Sequence, residues 1–520
     1  MSYFLLWLGM TIISSAVLIF ATIQESVAIS PIVAILVAAA ISAFCVANEL
    51  KRPEQKEYNR KKALYPIIPD KYLHQTPISE SVVFGTDYHT GKFVQAEPKM
   101  HTMIVGSTGS GKSATCIISS IMSCNTGSKF ISDIKARELL YRTSQINDPN
   151  TVIVDIDRQA PYTYGWDVLY KLKKDGADTE QEVLEVIQEI ASIIIPNTEG
   201  ADAFWSDASR NEFIALSIFQ ICYQHNYEFI DICHSILTSD LRTQMDIALN
   251  TVKKDSLVSA YLSGLAATND DTLFSININL NQHLFIFEQL TIQNALKNNL
   301  RKANPLMLDK EGISMYLCVS EEKLDSGYDK ITSIILKQIL MQIQSRTTTG
   351  HYPQTMLYFD EFQRLSESPA GENLRRCTSS FLKTGRSKSA SIVLCVQNLD
   401  NFKKEVIYDI LSNIGYLYVL ASNNANSLTS EVVCKMAGSY YEKEKSYSQS
   451  GQSSISTSFK EKQVLRPEDL NQLGNDAVLI ISNHGYVRTN KQGSAYYKVE
   501  PFKSQYESII TVNQEAMRGV

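Results

Sequence analysis

Excess positive charge is missing from this chain. Among its 520 residues, 49 Lys and Arg stand against 55 Asp and Glu, a formal charge of −6, so no global basic field holds a polyanion. Any contact with nucleic acid must use a local patch. The nine cysteines include no C-x-x-C pair and no metal-like spacing, and several sit in apolar strands or helices. They exclude a disulfide framework and a cysteine zinc site, and read as buried thiols in a reducing compartment. Internal repeats are absent, and so is a long acidic C-terminal run. Residues 1 to 3 carry no basic side chain and no small-residue cleavage site stands out, which argues against a cleaved signal peptide.

Long uncharged runs are present at the N-terminus. Tyr3 to Ile23 and Val27 to Ala47 are each long enough to cross a hydrocarbon core of roughly 30 Å as a helix. Only Gln24, Glu25 and Ser26 separate them, and Lys51, Arg52, Lys56, Arg60, Lys61 and Lys62 follow. The expectation is a two-helix transmembrane hairpin over 1–50 with the bulk of the chain in the cytoplasm. A charged connector over 51–95 holds one β-like stretch near Ser81 to Phe84.

The next segment, His101 to Ser113, reads HTMIVGSTGSGKS. Its spacing fits the P-loop pattern G-x-x-x-x-G-K-[ST], with an apolar strand before it and a helical pattern after it. Gly106, Ser107, Thr108, Gly109, Ser110, Gly111, Lys112, Ser113 and Ala114 then form the phosphate cradle. Glycines let backbone N–H groups wrap the phosphates of ATP, Lys112 reaches the β- and γ-phosphates, and the Ser113 hydroxyl ligates Mg2+. Downstream, MLYFDEF (356–362) is an apolar strand ending in two acids. Adjacent acids at such a strand end divide the work: Asp360 holds the metal and Glu361 deprotonates the attacking water. Gln397, after the strand Ser391 to Val396, suits a γ-phosphate sensor, and Arg386 suits an arginine finger.

The pattern between residues 96 and 175 alternates strand and helix, the rhythm of a doubly wound parallel sheet. From 176 to 310 the strand signal gives way to amphipathic helices, among them AFWSDASRNEFIALSIF, which places Phe204, Ala208, Ala215 and Phe219 on one stripe. From 311 to 520 the α/β pattern resumes. The fold class expected is therefore α/β, a nucleotide-binding domain (96–175 and 311–520) interrupted by an all-α insertion. A serine-rich stretch at 446–460 reads as an exposed hairpin or a loop, and a strand at Ala477 to Ser482 precedes a short tail.

Taken in order, the apolar hairpin, HTMIVGSTGSGKS, FWSDASRNEF, LYFDEF, GRSKSASIVLCVQNL and LRPEDL resemble the type IV coupling proteins, the TraG/TraD-like ATPases of conjugation and type IV secretion. The resemblance covers nearly the whole chain. It implies a RecA-like P-loop NTPase domain with an inserted helical domain, assembled as a homo-hexameric ring at the inner side of a cytoplasmic membrane. It also implies coupling of ATP hydrolysis to delivery of DNA, or of a relaxase joined to DNA, into a secretion channel, with Arg386 acting across subunits. Where many relatives read Asp-Pro-Lys-Gly, this chain reads Asp133-Ile134-Lys135-Ala136. A receptor that docks protein substrates and uses ATP mainly for assembly is the alternative class, and a chromosome-pumping DNA translocase ranks third.

Overall fold

The computed structural model describes residues 39–40, 66–173, 178–198, 200–297, 301–422, 424, 426–448, 454–482 and 485–518. The two N-terminal apolar runs lie outside these residues, apart from 39–40, so the expected hairpin falls outside them too. Among the described residues no helix is long and apolar enough to cross a membrane.

The chain divides into two units, of which the larger comprises 68–437 and 466–520. In chain order its strands are β1 (Leu73–His74), β2 (Val83–Thr86), β3 (Phe93–Gln95), β4 (Thr102–Val105), β5 (Ser128–Asp133) and β6 (Thr151–Asp155). After these come β7 (Gly165–Trp166), β8 (Lys302–Ala303), β9 (Ser314–Cys318), β10 (Thr355–Phe359), β11 (Ala390–Val396) and β12 (Tyr416–Val419). The smaller unit, as described, is a ribbon of β13 (Ser439–Ser448) and β14 (Ser454–Gln463), paired antiparallel from Ser439↔Gln463 to Ser448↔Ser454. Two more strands of the larger unit, β15 (Asp476–Ile481) and β16 (Gly485–Asn490), close the series.

One sheet of twelve strands runs β1-β3-β2-β16-β15-β12-β4-β11-β10-β5-β9-β6. From β12 to β6 every pairing is parallel. The strands β4, β5, β6, β10, β11 and β12 are buried at every position, which is why they read as unbroken apolar runs. Their register aligns the carboxyl ends: Val105 lies beside Val396, Phe359 beside both Leu394 and Ser132, and Asp133 beside Cys318. The residues that follow these strands therefore gather along one edge, where open α/β sheets bind ligands.

The helical insertion leaves and returns through a narrow neck, because β7 and β8 pair in parallel at Gly165↔Lys302 and Trp166↔Ala303. Trp166 Nε1 donates to Gln338 Oε1 at 2.8 Å and Gln338 Nε2 donates to the Val168 carbonyl at 2.8 Å, which ties the neck to the helix Asp329–Gln344. Its first long helix, Glu180–Ile194, begins with a capping box between Thr179 and Glu182. The helix Ala203–Gln224 then packs against Glu180–Ile194, Leu257–Ala266 and Asp270–Leu284. It is buried at nearly every position from Ser206 to Ile221, so the single stripe expected from sequence is too narrow, and Phe204, placed on that stripe, is 57% exposed.

Two further segments differ from their sequence reading. Residues 73–95, read within a connector, supply β1 to β3, and β2 reaches β16 through Thr86↔Asn490. The tail after β15 is likewise part of the body: β16 extends the sheet, and the helix Phe502–Arg518 is fastened by Asn513. That side chain accepts from Ile146 N–H at 2.9 Å and donates to the carbonyls of Tyr141 and Ser144.

Candidate nucleotide site

The loop after β4 is folded for close approach to a ligand. Gly109 and Gly111 adopt φ of 79° and 94°, the left-handed region where a side chain is strained. At Gly106 a Cβ would stand 2.6 Å from Ser110 Oγ. Gly106 N–H donates to the Val396 carbonyl at 3.2 Å, which ties the loop to the end of β11. Lys112 is buried, its ammonium donates to the Gly106 carbonyl, and burial holds its pKa below the usual lysine value.

The helix expected directly after the loop opens instead as a π-turn over Ser113–Ile117, followed by an α-helix Ile118–Ser123. Its contacts come from far along the chain. Tyr496 N–H donates to the Ala114 carbonyl at 3.1 Å, the Ser494 hydroxyl donates to the Thr115 carbonyl, and Lys491 Nζ donates to the Ser110 carbonyl at 2.9 Å. These bonds tie the widened turn to the segment after β16, and such turns occur at ligand sites.

Asp360 and Glu361 follow β10. Asp360 is 1% exposed, and neither of its carboxylate oxygens accepts a hydrogen bond from the described residues. Burial raises its pKa, with Lys135 opposing and Glu361 adding to the rise. Glu361 is also buried and takes a left-handed backbone, φ 47° and ψ 48°, a strained choice for a non-glycine residue and one that gathers at functional sites. Burial alone would raise its pKa, but Lys135, Lys112 and Gln363 together bring it below the usual glutamate value.

Sequence reading assigned no role to two side chains of this cluster. Lys135 Nζ stands 2.5 Å from Glu361 Oε1 and 3.4 Å from Asp360 Oδ2, while Lys112 Nζ is 4.0 Å from the same Glu361 oxygen. Gln363 Nε2 donates to Glu361 Oε2 at 2.7 Å, and Gln363 Oε1 accepts from the Gln397 N–H at 3.3 Å. Gln397 is thus joined to the acid pair through Gln363. The signal for Lys135 lay in the turn Asp133-Ile134-Lys135-Ala136; Gln363 had none, because a buried amide one turn past an acid pair has no distinguishing spacing.

Lys112, Ser113, Asp360, Glu361 and Gln397 stand at one edge, and Arg386 does not. It is exposed in a short turn before β11, at the opposite end of that strand, where its charge helps depress the pKa of His101. Seven residues of β11 put it on the order of 20 Å from Gln397 within one chain.

The donor set suits a magnesium–nucleotide. A buried carboxylate whose oxygens accept no hydrogen bond from the described residues and meet only the Lys135 ammonium at 3.4 Å, the Ser113 hydroxyl and a glycine loop match a cation held by one or two protein oxygens and by phosphates. No group of three or more His, Cys, Asp or Glu that could cage a metal occurs among the described residues.

Among solved structures, the bacterial conjugative coupling protein TrwB in an unbound form aligns at a TM-score of 0.55 and 14% identity, over 75% of this chain and 84% of that one. TrwB in complex with the ATP analogue ADPNP aligns at 0.56 and 14%, over 75% and 85%, and TrwB with ADP and Mg2+ at 0.55 and 13%, over 75% and 85%. These matches show a common fold, a mixed α/β architecture around a large parallel sheet. No curated protein matches the chain in sequence. The family model for type IV secretory system conjugative DNA transfer matches residues 54–519, and the chain belongs to that family, the type IV coupling proteins.

Proposed function

We propose that this protein is a membrane-anchored ring ATPase that couples ATP hydrolysis to recruitment of DNA, carried with a relaxase, and its transfer into a type IV secretion channel. The observation that carries the reading is the acid pair beside the P-loop lysine, with Glu361 oriented by Gln363 and Lys135. A docking scaffold has no need of a water-activating acid next to a metal-binding one.

In this reading Lys112 binds the β- and γ-phosphates of ATP, and Ser113 and Asp360 hold Mg2+, which when bound neutralises phosphate charge. Glu361 takes a proton from a water whose oxygen bonds to the γ-phosphorus. The bond from that phosphorus to the bridging oxygen breaks, and ADP and phosphate leave. Gln397 senses the γ-phosphate, and Arg386 of a neighbouring subunit in a homo-hexamer supplies the guanidinium. The apolar runs of 1–50 anchor the ring in the membrane.

DNA needs local basic surface. Lys383 pairs with Asp409 at 3.0 Å and Lys388 donates to the Arg346 carbonyl, whereas Lys253 and Lys254 are exposed on the insertion and supply such surface. The test is ATPase activity of assembled rings at low salt. DNA of any sequence raises turnover, added salt removes the effect steeply, and Glu361→Gln abolishes it. Stimulation by a secretion substrate protein but not by DNA would instead establish the receptor reading.

A further inference from the structure

We infer that Lys135 is a γ-phosphate sensor that governs Glu361: its ammonium is shared between the Glu361 carboxylate, where the structure places it, and the γ-phosphate of a bound nucleoside triphosphate. The inference rests on the ATPase reading above and deepens it.

The turn that carries Lys135 is built to hold it in place. Asp133, at the end of β5, accepts from Lys135 N–H at 3.3 Å and from Leu140 N–H at 2.9 Å. Ala136 and Arg137 then adopt φ of 50° and 67°, two successive left-handed residues without a glycine. Such backbone persists only where its surroundings over-determine it. Here the constraint is the Arg137 guanidinium, which grips Asp155 through two hydrogen bonds of 2.8 Å and Asp157 through one of 2.9 Å. Asp157 is fixed in turn by Ser320 N–H at 2.8 Å.

From this base the Lys135 side chain reaches the oxygen of Glu361 that also faces Lys112. A P-loop lysine is directed at the β- and γ-phosphates. Lys135, on the same oxygen, stands beside the group that Lys112 meets, and in the proposed role it takes the γ-phosphate, the one next to the base. It also has room to turn: its side chain is 30% exposed, against 5% for Lys112, on the wall of an open cavity of about 740 Å³ shared with Ser320, Asp325 and Arg364.

The chemical consequence concerns the base. An ammonium 2.5 Å from Glu361 Oε1 occupies the side of that oxygen that a water would use. A γ-phosphate competes for that ammonium, and as Lys135 moves to it Glu361 Oε1 is freed to accept a proton from water. ADP lacks the competing group and leaves the base held, so water activation is tied to the triphosphate.

The test uses the full chain in detergent, with Lys135→Met, Lys135→Arg and, should the methionine variant not fold, Lys135→Gln. Calorimetry with magnesium–AMP-PNP and magnesium–ADP reads binding, and steady-state kinetics read kcat and KM. Expected for Lys135→Met are ADP binding within about twofold of the parent, AMP-PNP binding weaker by about tenfold, and kcat lower by about a hundredfold, because the γ-phosphoryl charge of the transition state loses its cation even though Glu361 is no longer held. Lys135→Arg recovers part of both losses. Equal weakening of the two nucleotides, or a methionine variant that turns over at the parent rate, overturns the sensor. A parent chain that binds nucleotide yet never hydrolyses it overturns the ATPase reading and the sensor together, whereas an active parent with an unaffected Lys135→Met overturns the sensor alone.

Discussion

Gln363→Met removes the amide that joins Glu361 to Gln397 while nearly preserving side-chain length and volume at a position only 3% exposed. Two hydrogen bonds are lost. The one to the Glu361 carboxylate, 2.7 Å long and charge-assisted, belongs to a class that contributes roughly 1.5–3 kcal/mol; the 3.3 Å bond from Gln397 N–H belongs to the weak end of the neutral class, about 0.5 kcal/mol. With about 2 kcal/mol of carboxylate positioning lost from the transition state, kcat falls about 30-fold. Nucleotide affinity should hold, because the Gln363 amide is bonded to Glu361 and Gln397 and not to the loop or Lys112 among the described residues. The amide is also one of the groups that lower the Glu361 pKa, so its loss moves the acid limb of the kcat profile to higher pH. Steady-state kinetics across pH, with ADP titrations alongside, measure all three effects. An unchanged kcat with an unmoved acid limb would refute the positioning argument, and a loss confined to affinity would refute the geometry behind it.

Lys112→Ala should abolish magnesium–nucleotide binding while Glu361→Gln keeps binding and stops turnover; a Glu361→Gln chain hydrolysing at the parent rate would assign the base elsewhere. Arg386→Ala should lower kcat by about 10³-fold, and mixed rings with Lys112→Ala subunits should recover hydrolysis at interfaces that pair the intact Lys112 and Arg386. No recovery in confirmed mixed rings would make Arg386 structural. Burial, and then the Arg386 charge, depress His101 to a pKa of about 4, so its contribution to stability is present above 6.5 and lost as pH falls toward 4, about 3 kcal/mol in all. His101→Asn, whose oxygen can still accept from Ile392 N–H, should flatten denaturant-measured stability over that window. Glu212, buried with both oxygens unpaired, is pushed up to about 8 by burial alone, so the stability it contributes below 4.5 is lost as pH rises; Glu212→Gln should gain up to about 4 kcal/mol at pH 7.5 and nothing at pH 4.

Legibility followed from how local each feature is. Thr102–Val105, Met356–Phe359 and Ser391–Val396 are strands buried along their whole length, so each announces itself as an apolar run. The P-loop could be read because its glycines answer to backbone geometry within one loop. By contrast β2 and β3, of four and three residues, are too short to show a period, and of the two only β2 reaches β16, roughly four hundred residues further on. The π-turn after the P-loop has no local signal either, and the groups bonded to its carbonyls, Ser494 and Tyr496, are distant in sequence. Phe204 misled because its spacing matched a buried stripe on a helix that is buried on most of its circumference. Lys135 was visible only as a departure in a four-residue turn, its partners being two acids more than two hundred residues away.

Charge also bears on where the guanidinium of the proposed mechanism would come from. At the acid pair two ammonium groups, Lys112 and Lys135, face two carboxylates, Asp360 and Glu361, so the cluster is close to electroneutral. Magnesium–ATP adds net negative charge, and the transition state gathers more of it on the γ-phosphoryl oxygens. The arginines that flank the site in the same chain are already committed. Arg137 is bound to Asp155 and Asp157, and Arg364 is bound to Glu321, Asp325 and Glu367. Pulling either toward phosphate would break several charge-assisted hydrogen bonds, and for Arg137 would release the turn that positions Lys135. A guanidinium from outside the chain carries no such cost. Arg386 is exposed at the far end of β11, and a neighbouring subunit that presents this end of its sheet to the P-loop edge would place it where the balance needs a cation.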